Sequence, residues 1–585
     1  MPGKTIMALP QTTFSDTVME VLRERYLRRD EAGNLLETPG RMFERVAAAI
    51  ALPARAFGED AAYWEARFYE RMSRLEFLPN SPTLMNAGLP RGQLAACFVL
   101  PIADDLDSIF AALNRMARIH QTGGGTGFSF SRLRPRDDRV CSTGGVTSGP
   151  LPFMELFDHA TAVIRQGGRR RGANMAVLRI DHPDIEEFIS AKQAPRRLEN
   201  FNLSVAVTDE FWGAMANGNS FALVNPRTGK AVRSVDPRAL FDAIVSAAWA
   251  TGDPGLLFLD EINRANPTPV LGAIETTNPC GEQPLLAYES CTLGSINLAA
   301  FAAAPDLDWP RFADVIHDAV VFLDNVIEAN NYPFAEIDAA SRRTRKMGLG
   351  VMGLADLLAR IGLPYDSEQA LTLAGKIARF VTEKARIASV DLGERRGSFP
   401  AFHQSVWPAR GFSALRNAAL TCIAPTGTIS LIAGASSAIE PFFALALARR
   451  MLDGRHFVEV NALIEQELAA LGAAGARALE LIREQGSARR VVDLPEHLRR
   501  RFPIALEIAP AFHLRMQAAF QAHMDAAVAK TVNLPQAAPL DAVREVFMYG
   551  SVTDTSLIPR PFAMSFMSDE PARPPFRVRP VPGCS

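Results

Sequence analysis

The sequence predicts an α/β fold, and three observations carry that reading. Apolar strand-like runs lead through short loops into helix-like runs, as where Ala418 to Ile423 passes through Ala424-Pro425-Thr426-Gly427-Thr428-Ile429-Ser430. Gln93 to Leu100 reads as a buried strand, and Phe128-Ser129-Phe130-Ser131 alternates as a strand does. Residues 12 to 75 read instead as helix: Leu22, Tyr26 and Leu27, then Met42, Phe43, Val46 and Ile50, recur at helical spacing among charges.

With 585 residues the chain is long enough for several domains or one large barrel with additions. A net charge of −2 gives no electrostatic footprint for a nucleic-acid polymer or a membrane surface, so any nucleotide would be handled singly in a pocket. Six cysteines, Cys97, Cys141, Cys280, Cys291, Cys422 and Cys584, are too sparse for a secreted disulfide scaffold. They form no C-x-x-C and no zinc spacing with the histidines, so no metal site is expected. Asp181-His182-Pro183-Asp184 reads as a turn into a helix whose acids face the positive N-terminus. The first residues have no apolar core of signal-peptide length, which suggests a cytoplasmic protein with reduced thiols. The uncharged stretch Asn417 to Ile439 is long enough to cross a bilayer. Pro425, Gly427, Gly434 and the Thr-Gly-Thr-Ile-Ser run break it, so strand, loop and helix fit better.

The most informative stretch is Thr276 to Cys291, TTNPCGEQPLLAYESC. Asn278, Cys280 and Glu282 stand at alternate positions, and alternate residues of an extended segment face one way. Pro279 and Gly281 make a loop tip likelier than a core strand. Taken alone, a turn that happens to hold a cysteine is an equally good account. Other segments are as ambiguous. Phe77 to Thr83 is a hydroxyl-rich turn suited to phosphate oxygens, or an ordinary turn. Cys97, in its strand, reads alone as an inert small hydrophobe. Gly123-Gly124-Gly125 lets backbone approach a ligand, or merely bends. Gly167-Gly168-Arg169-Arg170-Arg171-Gly172-Ala173-Asn174 is either a solvated face or a loop that wraps phosphate. Gly348 to Gly353 spells GxGxxG, but Ser341 to Lys346 before it is no strand, so close helix packing is expected in place of a dinucleotide site.

The Asn-x-Cys-x-Glu loop resembles the finger loop of ribonucleotide reductases. FLPNSPTLMNAG, QLAACFVLPI, GGGTGFSFSRLRP, STGGVTSGPLPFM, QGGRRRGANMAVL, RKMGLGVMGLADLL and APTGTISLIAG match that family in the same chain order, over residues 12 to 540. They look most like the adenosylcobalamin-dependent class. The resemblance implies a ten-stranded α/β barrel around a central finger loop, with an N-terminal helical region. The expected divisions are 1–75 for that region, 76–550 for the barrel and 551–585 for a disordered Pro- and Arg-rich tail. An additional N-terminal ATP-binding module is not expected.

The resemblance also implies roles. Adenosylcobalamin starts the radical chemistry, Cys280 carries the thiyl, Glu282 is the general base and Asn278 holds the sugar hydroxyls. Cys97 and Cys291 are the redox pair. Substrate contacts fall at Ser81 or Thr83, Ala96, Cys97, Gly125, Asn278 to Glu282 (including Pro279 and Gly281), and Pro425, Thr426, Gly427, Thr428 and Ile429. Gly167 to Asn174 would be the loop that senses a deoxynucleotide effector at a homodimer interface. A thioredoxin-like or other dithiol would regenerate the pair. Family members often end in two cysteines, whereas this chain has Cys584 alone near its end. One more strand is expected near the C-terminus, with Phe547-Met548-Tyr549-Gly550-Ser551 as a shortened version. Tyr549 stands without a neighbouring tyrosine, which argues against the large subunit of an iron-dependent reductase. A non-catalytic nucleotide-binding paralogue is the alternative from another class.

Overall fold

Ten strands make one mixed sheet in a computed structural model that describes residues 14–90, 92–140, 144–164, 172–450, 456–552 and 563–568. They are β1 (Phe77–Pro79), β2 (Cys97–Val99), β3 (Gly125–Ser129), β4 (Asn174–Arg179), β5 (Phe201–Val207), β6 (Gly255–Phe258), β7 (Ser290–Asn297), β8 (Met347–Met352), β9 (Thr531–Leu534) and β10 (Ala563–Ser568). Their order is β1-β7-β2-β3-β4-β5-β6-β10-β9, with β8 parallel to β7. The run from β2 to β6 is parallel, and its strands are buried along almost their whole length, as strands covered on both faces should be. Isolated bridges join Leu349 to Thr421 and Ile423 to Val528, three residues before β9. Pairing therefore continues from β8 round towards the far edge of the sheet.

The N-terminal helices follow from their caps and faces. Thr38 accepts from Arg41 N at 3.3 Å and Pro39 opens helix Pro39–Ala51. Asp60 caps helix Ala61–Ser73 in the same way. Met42, Phe43, Val46 and Ile50 are buried in one core with Phe322, Leu323 and Val326 of helix Trp309–Ala329. Each fully buried side chain of this size contributes about 1.5–3 kcal/mol, so the helical region is packed onto the barrel by its apolar stripe.

Three local expectations change. All but the last glycine of the GxGxxG run lies in Met347–Met352, which is strand β8 and not a helix packing motif. A β8 strand flanked by β7 and the 421–423 stretch leaves little room for side chains, and a Cβ on Gly350 would stand 2.6 Å from Cys422 O. Phe547 to Ser551 lies in helix Leu540–Val552, not in a shortened strand. The extra strand comes later, as β10, within the stretch expected to be a disordered tail; it pairs with β9 and with β6.

Candidate active site

Thr276–Thr277 and Pro284–Leu285 form a two-stranded hairpin, and its tip is the Asn278–Gln283 turn. Asn278 N donates to Gln283 O at 3.2 Å and Gln283 N to Asn278 Oδ1 at 3.0 Å, which closes the tip from both sides. Gly281 sits at φ +84°, a conformation L side chains rarely adopt, so the turn depends on it. The hairpin lies against β3: a Cβ at Gly127 would stand 1.7 Å from Thr277 O. Glycine is thus required at this position of β3, where backbone meets backbone. Asn202 Nδ2 holds Pro279 O at 2.7 Å from the other side.

The tip projects into a cavity of about 740 Å³, counting the space open at its mouth. Ser81, Ala96, Cys97, Gly125, Pro279 and Cys280 line it. So do Asn278, Glu282 and the five residues from Pro425 to Ile429. The structure therefore brings together most of the residues that the sequence singled out. Thr83 is the exception. Its hydroxyl donates to Leu94 O at 3.0 Å, away from the cavity, and its N–H is capped by Asn80 Oδ1 at 2.9 Å. Gly281 turns the chain but does not line the cavity. Of the arginine-rich loop, Gly167 to Arg171 lie outside the described residues. Ala173 lines the cavity, and Asn174 belongs to β4, where its Oδ1 accepts from Thr126 Oγ1 at 2.7 Å. Gly144 is exposed and does not reach the cavity, whereas Gly123 does.

Asn278 Nδ2 lies 3.1 Å from Cys97 Sγ, and Cys97 Sγ lies 3.8 Å from Glu282 Oε1. Amide, thiol and carboxylate are therefore mutually engaged. Cys97 on β2 stands directly opposite Cys291 on β7 in antiparallel register. Directly opposed residues bring their Cβ atoms within about 4.5–5.5 Å, the separation from which a small adjustment forms a disulfide. Burial pushes the Cys291 thiol well above its ordinary range, and the nearby Cys422, Cys97 and Glu282 add to the shift against Lys346. Cys291 is thus held as a protonated thiol. Cys97, Cys291 and Cys422 share one buried cluster. Cys280 is disulfide-bonded in this structure, so any hydrogen-carrying role belongs to its reduced form.

Several lining residues were not singled out from the sequence. Asn80 lines the cavity with a side chain only 6% exposed, and its Nδ2 has no hydrogen-bond partner among the described residues. A buried donor left unpaired costs about 1–3 kcal/mol, a cost that a bound acceptor removes. Leu293 and Ser295 line the wall as well; they share the face of Cys291 by the period-two alternation of a strand, a signal in the sequence that was not used.

A strand-bound dithiol, a carboxylate and a thiol-bearing hairpin tip inside an α/β barrel define the class of the protein: an enzyme that reduces a ligand held in the barrel by thiol chemistry. The ribonucleotide reductase barrel domain matches residues 95–552 and the ribonucleotide reductase all-alpha domain matches residues 12–92. The chain belongs to the ribonucleotide reductase family. It is 52% identical over 537 residues to a vitamin B12-dependent ribonucleoside-diphosphate reductase of Mycobacterium tuberculosis, covering 92% of this chain and 77% of that protein. To the protein of the same name from Thermoplasma acidophilum it is 46% identical, covering 90% of this chain and 75% of that one. The class Id ribonucleotide reductase alpha subunit of Actinobacillus ureae superposes with a TM-score of 0.76 at 23% identity, over 95% of this chain and 97% of that one, a likeness of fold.

Proposed function

We propose that this chain is an adenosylcobalamin-dependent ribonucleoside-diphosphate reductase that makes 2′-deoxyribonucleotides for DNA synthesis. The observation that carries the reading is the convergence of Asn278, Cys280 and Glu282 on one cavity with Cys97, itself paired in register with Cys291. Relatives at 46–52% identity bear the cobalamin-dependent name.

The residues present fit both ligands. Asn80 Nδ2 awaits an acceptor, and Ser81 with the Pro425–Ile429 loop offers hydroxyl and backbone groups to phosphate oxygens. At Gly123, which lines the same cavity as Cys280, a Cβ would meet nothing within 4 Å among the described residues, so this edge is open on the side where a cofactor would approach. Adenosylcobalamin, when bound, supplies the radical that no ordinary side chain can start.

The chain's own groups do the rest. Cys280, at the half-buried tip, takes the 3′-hydrogen of the sugar and later returns it. Glu282, buried beside Cys97, accepts the 3′-hydroxyl proton. Asn278 orients the sugar hydroxyls. Cys97 and Cys291 give up two electrons and two protons, the 2′-oxygen leaves as water, and the two sulfurs join. An external dithiol reduces that disulfide for the next turnover.

Allosteric control and assembly complete the reading. Leu106 and Phe110 on helix Leu106–Gln121, and Leu156 and Val163 on helix Pro150–Ile164, are exposed apolar residues on neighbouring helices. They support a homodimer, and Gly167 to Asn174, which follow helix Pro150–Ile164 in the sequence, would be the deoxynucleotide-sensing loop. Sedimentation equilibrium of Phe110→Asp tests this; wild-type and variant masses that agree as monomers would remove the dimer. No helix among the described residues is long and apolar enough to cross a membrane. Turnover that depends on reduced thiols suits the cytoplasm, and cell fractionation tests that placement.

The deciding experiment compares nucleoside-diphosphate reduction by the purified protein with and without adenosylcobalamin, and separately with an iron-loaded small subunit. Cofactor-dependent reduction is expected. Activity that needs the small subunit and ignores the cofactor would overturn the reading, and nucleotide binding without turnover in either mixture would make the chain a non-catalytic paralogue.

A further inference from the structure

The cavity loop from Ala424 leaves and returns to a single short segment, Ala526 to Thr531. At the leaving end, Ile423 N donates to Ala527 O at 3.2 Å and Ala529 N to Ile423 O at 2.9 Å. At the returning end, Thr531 N donates to Glu440 Oε1 at 2.8 Å, and the Lys530 ammonium donates to Glu440 Oε2. Inside the loop, Ala438 N donates to Thr426 Oγ1 at 2.7 Å and Glu440 N to Ser437 O at 2.8 Å, so the position of Glu440 is passed back to the cavity wall. The same segment also grips the hairpin tip, because Ala527 N donates to Glu282 O at 3.0 Å.

Lys530 is an expensive residue to place there. Its side chain is wholly buried, and an apolar residue would fill the same volume without taking a charge out of water. Its ammonium is shared among Glu440, Thr531 O at 2.8 Å and His513 Nδ1 at 3.0 Å. An ammonium only donates, so His513 accepts at Nδ1 and gives its one hydrogen, on Nε2, to Ala505 O at 3.2 Å. Burial and the Lys530 charge hold His513 down to about 3, so it remains a neutral acceptor. Burial likewise lowers Lys530, opposed by Glu440. The arrangement specifies one place for the Glu440 carboxylate and therefore one position for the end of the loop.

We infer that Lys530, with Glu440 and His513, is a positioning device for substrate: it fixes the Pro425–Ile429 wall at a set distance from the Glu282 tip, so that nucleotide binding depends on a charge pair that does not itself line the cavity. This rests on the reading of that cavity as the nucleotide site. The test uses the full chain and ADP as probe. Equilibrium dialysis gives Kd for wild type, Lys530→Met and Glu440→Gln, steady-state assays with adenosylcobalamin give KM and kcat, and thermal denaturation checks folding. Glu440→Gln is the milder change, since the amide oxygen still accepts from Thr531 N and Lys530 is free to lose its proton. Both variants are expected to weaken ADP binding by about tenfold or more, with KM rising in step and kcat within about threefold of wild type. If Lys530→Met fails to fold, Glu440→Gln decides alone. Folded variants that bind ADP within about twofold of wild type, or that lose kcat at unchanged Kd, would overturn the inference. Wild type that does not bind ADP at all would instead remove the reading of the cavity.

Discussion

Two buried polar clusters in this molecule are built on opposite terms. Around Asp324, which is wholly buried, Arg345 approaches at 2.7 Å, Arg396 at 3.1 Å and Arg416 at 3.3 Å, while Glu328 takes second bonds from Arg345 and Arg416. Burial alone would raise the Asp324 carboxyl, yet the Arg345, Arg416 and Arg396 charges hold it at about 2. Among the described residues, the candidate active-site cavity is lined by no lysine, arginine or histidine; its polar lining consists of thiols, amides, hydroxyls and one carboxylate. The first cluster is closed on itself and welds helices Trp309–Ala329 and Glu368–Arg396 to the start of β8. The second leaves Asn80 Nδ2 without an acceptor among the described residues. Saturated charge makes a joint; unsaturated polarity makes a site.

The sharpest break in that contrast is Cys280→Ser. It should leave folding and ADP binding intact and reduce turnover below about 1% of wild type, because a serine O–H is too strong to serve as hydrogen carrier. Activity above a few per cent, relative to the same preparation of wild type, rules out the assignment. Next in size is the redox pair. Cys291→Ser should stop sustained turnover with a dithiol, whereas Cys422→Ser, in the same buried cluster, should stay within about threefold. Peptide mapping of the oxidised protein is expected to recover Cys97 joined to Cys291, and a link from Cys422 to either would displace that pair.

The ionic joint should respond in stability and leave chemistry alone. Asp324→Asn leaves three arginines around a neutral amide and should cost about 3–5 kcal/mol in denaturant unfolding. A loss below about 1 kcal/mol would mean that the network is not what welds these elements. The native carboxylate, depressed to about 2, contributes stability above its ordinary value near 4 that is lost as pH falls through about 2. The smallest effect belongs to His120, buried beside Thr126 of β3. Its Nε2 lies 3.0 Å from Thr126 Oγ1, and burial lowers it to about 4, opposed by the Ala173 backbone carbonyl, which accepts from the ring and favours its charged form. Its contribution is complete above about pH 6.5 and declines towards pH 4, on the order of 1 kcal/mol per pH unit. Between pH 7.5 and pH 5, His120→Gln should therefore lose less unfolding free energy than wild type; equal losses would locate the titration elsewhere.

The hairpin tip was legible because its chemistry is local. Asn278, Cys280 and Glu282 are two residues apart, and the proline and glycine between them announce the turn. The N-terminal helices were legible for the same reason, through the helical spacing of their apolar residues. Pattern failed where a glycine-rich run had to be assigned to helix or strand: Met347–Met352 became β8 because its neighbours supply the pairing. It failed again at the C-terminus, where Ala563–Ser568 completes the sheet from within a stretch whose composition suggested disorder.

By itself, then, the sequence determined the α/β class, the helical N-terminal region and the tip that carries the thiol. Each of these depends on residues close together in the chain. Tertiary structure decided which cysteine faces Cys97, that Thr83 turns away while Asn80 turns in, and that Lys530 reaches Glu440 from ninety positions away. Those are contacts between strands and loops whose separation along the chain carries no record of their separation in space. They exist only once burial and hydrogen-bond register have chosen one packing of the barrel.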